Sequence, residues 1–132
     1  MCDFLASIEW PASLALKPLP QQALLQLPCS QRNVLRRPEA VAQLLGRIPQ
    51  LQLEPLPENQ LCCGAAGSYQ VTQRDNALAL RRRKLDQLSP EGPHLLVSNN
   101  LGCALHLQQG LQQQGKRVEV IHPIMLLLQA LP

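Results

Sequence analysis

The feature that most constrains the fold of this chain is a regular alternation of short apolar runs with longer helix-forming segments. Four apolar runs predict strands, and they lie at residues 23–27, 51–56, 94–97 and 117–121. Each run precedes a segment that predicts a helix, at residues 38–48, 72–88, 100 to 109 or 114, and 123–131. This order is typical of βαβ units, which have parallel strands and right-handed connections. We therefore predict an α/β fold, a single domain in which a mostly parallel sheet of about four strands carries helices on both faces, as in Rossmann-like proteins.

Capping residues and helix breakers mark where the helices should begin and end. Pro38 suits the first position of a helix, because its missing N–H would have no partner there. Thr72 and Asp75 resemble a capping box, so we expect the longest helix to begin at Thr72 and to end before the Ser-Pro pair at 89–90. Asn100 is a strong N-cap residue, and we expect its side chain to accept a backbone N–H from the first turn of its helix.

Length, composition and charge limit the classes of protein that this chain can represent. Its 132 residues support one domain with a modest core. Aromatic residues make up only 2% of the chain, so the core must consist of Leu, Val, Ile and Ala. A net charge of +3 without an interleaved basic and aromatic surface argues against nucleic-acid binding. We expect the basic run at residues 81–84 to be solvated, with its aliphatic stems lying on apolar neighbours.

The cellular location follows from what the sequence lacks and from its cysteines. No apolar run approaches the ~20 residues of a membrane span, and the N-terminus lacks the charged start and apolar stretch of a signal peptide. We therefore expect a cytoplasmic protein with no transmembrane segment, for which peripheral membrane association stays open. Five cysteines in a reducing compartment favour metal, cluster or redox chemistry over a disulfide framework.

The residues with the most distinctive chemistry follow the predicted strands. Cys29 follows the first strand, Cys62 and Cys63 lie in the loop after the second, Cys103 follows the third, and His122 follows the fourth. Open parallel sheets bind ligands beyond the carboxyl ends of their strands. We therefore expect the four cysteines, which are far apart in sequence, to converge at one edge of the sheet.

Four thiols at one edge suit an iron–sulfur cluster. Adjacent cysteines are poor disulfide partners, whereas four thiolates are what a [4Fe–4S] cluster takes as ligands. Gly64 and Gly67, directly after the cysteine pair, allow the backbone to approach an inorganic sulfur closely and to donate N–H groups to it. Zinc is the alternative, since it also binds four thiolates, but its sites usually use cysteines two to four residues apart. A metal-free site with buried, inert cysteines is the third possibility.

The spacing of these cysteines resembles a known family. The pattern Cys29, Cys62-Cys63-Gly64 and Cys103, with Leu-Cys-Cys-Gly-Ala-Ala-Gly-Ser-Tyr at 61–69 and Ser-Asn-Asn-Leu-Gly-Cys-Ala-Leu-His-Leu at 98–107, resembles the cysteine-rich CCG domain. That domain occurs in glycolate oxidase iron–sulfur subunits, lactate-utilisation proteins and heterodisulfide reductase subunits. The family motif closes with Cys-x-x-Cys, and Asn100 stands at the first of those two positions. The resemblance implies Cys29, Cys62, Cys63 and Cys103 as cluster ligands.

The resemblance also implies a function for the whole chain. It implies an electron-transfer domain of a glycolate oxidase-like complex, which relays electrons from a flavin-containing dehydrogenase subunit for 2-hydroxy acids to an acceptor. Other iron–sulfur domains are further implied partners, and the chain would be an oxidoreductase subunit rather than a stand-alone catalyst. A zinc-bound or metal-free module that docks a flavoprotein subunit is the alternative. A thiol–disulfide enzyme that uses the adjacent cysteines is a third interpretation.

Two regions complete the sequence-based picture. We expect residues 1–22 to form a linker-like segment and residues 23–132 to form one domain, which resembles the last CCG copy in subunits that carry two. We expect Cys2 to lie outside the site.

His122 resembles the family's His before its last helix, where it either caps that helix or lines the cofactor site. His106 lies one helical turn beyond Cys103, and we favour a satisfied structural role for it.

Overall fold

A computed structural model describes all 132 residues and confirms the predicted α/β fold. Its four strands form one sheet of order β2-β1-β3-β4 in which all neighbours are parallel. The strands are β1 (Gln22–Leu25), β2 (Gln52–Pro55), β3 (Leu95–Val97) and β4 (Glu119–Ile121). Three of the strands lie inside the apolar runs that predicted them, and β1 begins one residue before its run. Each strand is shorter than its run. The register pairs Leu24 of β1 with Glu54 and Leu96.

Seven helices surround the sheet. They are α1 (Cys2–Ser7), α2 (Cys29–Asn33), α3 (Ala40–Leu45), α4 (Tyr69–Thr72), α5 (Arg74–Leu85), α6 (Leu101–Gln113) and α7 (Pro123–Gln129). The helices predicted after the four strands are present, whereas α1, α2 and α4 were not expected. None of the seven has the length and apolar character that a membrane crossing requires.

The start expected at Thr72 for the helix before β3 is wrong. Thr72 ends α4, and Gln73 has a non-helical backbone (φ −125°, ψ 51°) before α5 begins at Arg74. The Thr72 hydroxyl lies 3.2 Å from the carbonyl of Ser68 and donates to it, so it does not cap the next helix. Asp75 does lie in the first turn of α5, where a carboxylate is favoured by the helix dipole.

Two apolar layers cover the two faces of the sheet, as predicted. On one face α1, α3 and α7 pack on the sheet around Val41, Leu44, Leu45 and Leu126. On the other face α5 and α6 pack around Leu85, Leu107 and Leu111, together with Cys63 and Cys103. No aromatic residue belongs to either buried set, which confirms the aliphatic core expected from composition. Cys2 lies in the first layer, on the face opposite the other buried cysteines.

The basic run on α5 differs from its expected solvated state. Arg81 is 5% exposed and Lys84 is fully buried, although Arg82 and Arg83 do face solvent. Arg81 reaches across to α6, where it donates to the carbonyl of His106 and to the side chains of Gln109 and Gln113. The expectation failed because it considered the helix alone, whereas α6 and the loop after β2 supply acceptors that make burial of these cations tolerable.

Candidate cysteine site at the carboxyl edge of the sheet

Three neighbouring strands deliver the four cysteines to one edge of the sheet. Cys29 opens α2 just beyond β1, and Cys62 and Cys63 lie in the loop beyond β2. Cys103 is the third residue of α6, which follows β3. Since β2, β1 and β3 are adjacent in the sheet, the segments that follow them emerge side by side. All five cysteines of the chain are free thiols.

Two of the four thiols are in close contact. Sγ of Cys63 lies 2.9 Å from Sγ of Cys103, and both side chains are buried, with exposures of 2% and 6%. The thiols of Cys62 and Cys29 are half-buried; burial raises the pKa of Cys62, and Cys29 adds a small contribution in the same direction. The backbone N–H of Gly64 donates to Sγ of Cys62 at 3.3 Å. The charges of Cys29, Cys62 and Cys63 all act on Cys103, so the four sulfurs form one electrostatic cluster.

The pKa values of these thiols are set by their contacts with one another. The hydrogen bond between Cys63 and Cys103 lowers the pKa of Cys63 to about 6, in spite of burial, and the N–H of Ala65 and the charge of Lys84 act in the same direction. The same bond raises the pKa of Cys103, and burial raises it further. Burial also raises the pKa of Cys62, against the N–H of Gly64. One thiolate therefore forms readily, whereas further ionisation needs added positive charge.

Thiol sulfurs are suitable ligands for a thiophilic metal, but those of Cys63 and Cys103 are closer together than two ligands of one metal ion would be. No group of three or more Cys, His, Asp or Glu side chains is already arranged to hold one metal ion. The Sγ–Sγ distance of 2.9 Å between Cys63 and Cys103 is shorter than the roughly 3.8 Å between two thiolates on a tetrahedral zinc with Zn–S of about 2.3 Å. Ligation would therefore separate the sulfurs and release protons. Four thiols without a carboxylate are the donor set of iron–sulfur and zinc sites rather than of Mg²⁺ or Ca²⁺ sites.

The two glycines after the cysteine pair have different surroundings. Gly64 has φ +95°, and a Cβ there would lie 2.4 Å from the carbonyl oxygen of Ala77 on α5. Gly67 has φ +47°, and a Cβ there would meet nothing within 4 Å. The close backbone approach at Gly64 is thus made to α5, and it seats the cysteine loop against that helix. Only Gly67 borders open space.

Asn100 caps α6, as the sequence predicted. Its Oδ1 accepts the backbone N–H of Cys103 at 3.0 Å, and its Nδ2 lies 3.4 Å from Oγ of Ser30. Asn100 thus links the helix that carries Cys103 to the helix that begins with Cys29. The position at which the CCG motif has its fifth cysteine is therefore occupied by an amide that is hydrogen-bonded to both helices.

The two candidate histidines have separate environments. His122 is exposed and caps α7, where its Nδ1 accepts the N–H of Ile124 at 3.2 Å. Burial and the nearby N-terminal ammonium lower its pKa. His106 is buried, with its Nε2 3.3 Å from the carbonyl of Ala77, and burial lowers its pKa as well. The satisfied role favoured for His106 is confirmed.

Sequence reasoning missed the polar groups that support the site. Lys84 is buried next to the thiols, but its place within a basic run gave no sign of this. Between β1 and β3, Oγ of Ser98 donates to Oε1 of Gln26 at 2.7 Å. Asn99 donates to Oε1 of Gln31 at 2.8 Å, while its own Oδ1 is buried without a partner. Polar residues directly after two predicted strands were the available signal.

Comparison with known proteins places the cysteines within a described family. Residues 23–108 match the family model for CCG, a cysteine-rich domain. The glycolate oxidase iron-sulfur subunit of Escherichia coli is 34% identical over 104 residues, which are 79% of this chain and 24% of that subunit. Lactate utilization protein A of Shouchella clausii is 29% identical over 94 residues, which are 71% of this chain and 39% of that protein.

A third relative is also named as an iron-sulfur subunit. The probable glycolate oxidase iron-sulfur subunit of Bacillus subtilis is 28% identical over 113 residues, which are 84% of this chain and 26% of that subunit. The chain therefore spans between a quarter and two fifths of the length of these three relatives. No solved structure matches the chain significantly.

Proposed function

The chain belongs to the CCG family of cysteine-rich domains, and from that premise we propose that it holds an iron–sulfur cluster and passes electrons within an oxidoreductase complex. The observation that supports the proposal is that four free thiols lie in segments after three adjacent strands at the carboxyl edge of the sheet, with Sγ of Cys63 2.9 Å from Sγ of Cys103. Two of the three relatives described above are named as iron-sulfur subunits.

The four thiols suit a [4Fe–4S] cluster, with Cys29, Cys62, Cys63 and Cys103 each providing one ligand. When bound, such a cluster takes up and releases one electron. The residues of the chain would hold it and exclude water. Cys63 and Cys103 are buried, so their sulfurs are shielded from solvent. The N–H of Gly64 on the sulfur of Cys62 and the N-terminal end of α6 favour thiolates.

The proposed complex follows from the names of the relatives. We assign to this domain the passage of electrons from a flavin-containing dehydrogenase subunit that oxidises a 2-hydroxy acid such as glycolate or lactate. Other iron–sulfur domains are proposed partners, because the chain corresponds to about a quarter of the glycolate oxidase subunits. Gly67, four residues after Cys63, borders open space and is the proposed point of backbone approach to the cluster. Asn100 is a proposed neighbour of the cluster, and His122 a more distant one. The cytoplasm is the proposed location.

The test is analysis of protein purified without oxygen. We expect about four iron and four sulfide per chain and a visible absorption band, as a [4Fe–4S] cluster requires. Cys62→Ser and Cys103→Ser should lose the iron. The matched control is Cys2→Ser, because Cys2 is also buried, at 4% exposure, but lies in the layer on the other face of the sheet.

Three results would contradict the proposal. Zinc without sulfide would favour the zinc-bound docking module. Wild-type protein without any metal would favour the metal-free one. Iron loss that is equal in all three variants would mean that the thiols at the sheet edge are not the ligands.

A further inference from the structure

Lys84 is a buried cation that has no carboxylate partner. Its side chain is 0% exposed, and its Nζ donates one hydrogen bond, to the backbone carbonyl of Glu58 at 2.8 Å. The carboxylate of Glu58 is turned to Arg83 instead, with which it forms a bidentate ion pair at 2.7 Å. A buried ammonium that is matched only by one carbonyl is costly unless another negative group lies nearby.

The groups that can balance the charge of Lys84 are the thiols of the site, once they are ionised. Burial lowers the pKa of Lys84, and Cys63, Cys103 and Cys62 oppose that shift more strongly than Glu58 does. The charge of Lys84 in turn helps to lower the pKa of Cys63. The carbonyl that Lys84 binds belongs to the same loop as the cysteine pair, four residues before Cys62. The hydrogen bond thus fixes the ammonium to the loop that carries Cys62 and Cys63, and Leu85, the next residue of α5, packs in the same apolar layer as Cys63 and Cys103.

The other buried cations of this face are satisfied elsewhere. Arg81 has three acceptors on α6. Lys116, which is half-buried, donates to the carbonyls of Leu85 and Leu88, at the C-terminal end of α5 and just beyond it. Lys84 therefore differs from both in having the thiols as its main countercharge.

We propose that Lys84 is a positioning residue for electron transfer: its fixed positive charge raises the reduction potential of the cluster held by the four cysteines. This inference rests on the proposed function. A cluster with four thiolate ligands is anionic and becomes more negative when it takes up one electron, so a nearby cation stabilises the reduced form more than the oxidised form. The burial of Lys84 strengthens this attraction, because little water screens it.

The experiment compares variants of the full chain that carry the cluster. Lys84→Met keeps the length of the side chain but removes the charge, and Lys84→Arg keeps the charge. Lys116→Met is the matched control, because it removes a half-buried lysine that binds only backbone carbonyls. The midpoint potential of each is measured by a redox titration at constant pH, followed by electron paramagnetic resonance, with iron and sulfide determined on the same samples.

We expect the midpoint potential of Lys84→Met to shift to more negative values. The ratio of reduced to oxidised cluster at a fixed solution potential should fall about tenfold, a shift of about 59 mV for a one-electron couple. Lys84→Arg should remain closer to the wild type than Lys84→Met, and Lys116→Met should match the wild type.

The outcomes separate this inference from the proposed function. A wild-type protein without a cluster overturns both. A wild-type cluster whose potential is unchanged in Lys84→Met overturns only the role of Lys84. Loss of iron in Lys84→Met but not in Lys84→Arg supports the role, since it ties cluster retention to the charge. Loss of iron in both variants, or equal shifts in Lys84→Met and Lys116→Met, overturns it in favour of a packing effect.

Discussion

Replacing Gly64 by Ala should destabilise the fold far more than the same change at Gly67. At Gly64 the backbone has φ +95°, where a residue with a Cβ is strained by about 1–2 kcal/mol. The new Cβ would also lie 2.4 Å from the carbonyl oxygen of Ala77, a backbone atom that can move only with α5. Such overpacking adds roughly 1–3 kcal/mol, so we expect a total loss of about 2–5 kcal/mol. Gly67 has φ +47° and open space around it, so Gly67→Ala should cost only about 1–2 kcal/mol.

Urea unfolding of both variants and the wild type, all free of metal and under reducing conditions, measures this difference. With a slope of about 1–3 kcal/mol per molar urea, Gly64→Ala should unfold at clearly lower urea than Gly67→Ala. Equal stabilities would refute the reasoning that Gly64 is needed for the contact with α5. If Gly64→Ala were as stable as the wild type but failed to retain iron, the glycine would instead be required for approach to the cluster.

Three further predictions concern the site and its supports. Asn100→Ala should cost about 1 kcal/mol in urea unfolding through loss of the α6 cap, and an unchanged stability would contradict the cap. Burial lowers the pKa of His106 in the folded state, so the unfolded state binds more protons below pH ~6.5. The free energy of unfolding should therefore decrease as the pH falls from 7.5 to 5. His106→Gln should weaken that pH dependence. In metal-free protein, a thiol oxidant should link Cys63 to Cys103, whose sulfurs are 2.9 Å apart, and peptide mapping that finds Cys62 linked to Cys63 instead would refute this.

The sheet could be predicted because each strand is an apolar run followed by residues of distinctive chemistry. Leu24 and Leu96 are buried on one face while Ala23 and Val97 are buried on the other, so the central strands needed apolar residues throughout. The place of the cysteines after these strands then followed from the geometry of parallel sheets. Neither inference required any knowledge of tertiary contacts.

The short helices could not be predicted, because distant residues stabilise them. α2 has five residues, too few to be stable alone, and its Gln31 is held by Asp3, Asn99 and the carbonyl of Arg37. The burial of Lys84 depends on the carbonyl of Glu58 in the same way. The sequence of a basic run does not show which of its residues face solvent and which face a loop. Only the structure shows that Arg83 is exposed whereas Lys84 is buried.

The position of the thiols depends on α5, a helix that carries none of them. The carbonyl of Ala77 on α5 contacts Gly64 of the cysteine loop and lies 3.3 Å from the Nε2 of His106 on α6. One backbone group therefore meets both the loop that carries Cys62 and Cys63 and the helix that carries Cys103. One turn further on, Arg81 binds α6, and beyond it Lys84 binds the loop. A displacement of α5 would consequently change the distance between Cys63 and Cys103. The relative position of these two sulfurs is thus controlled by the same helix that supplies their buried positive charge.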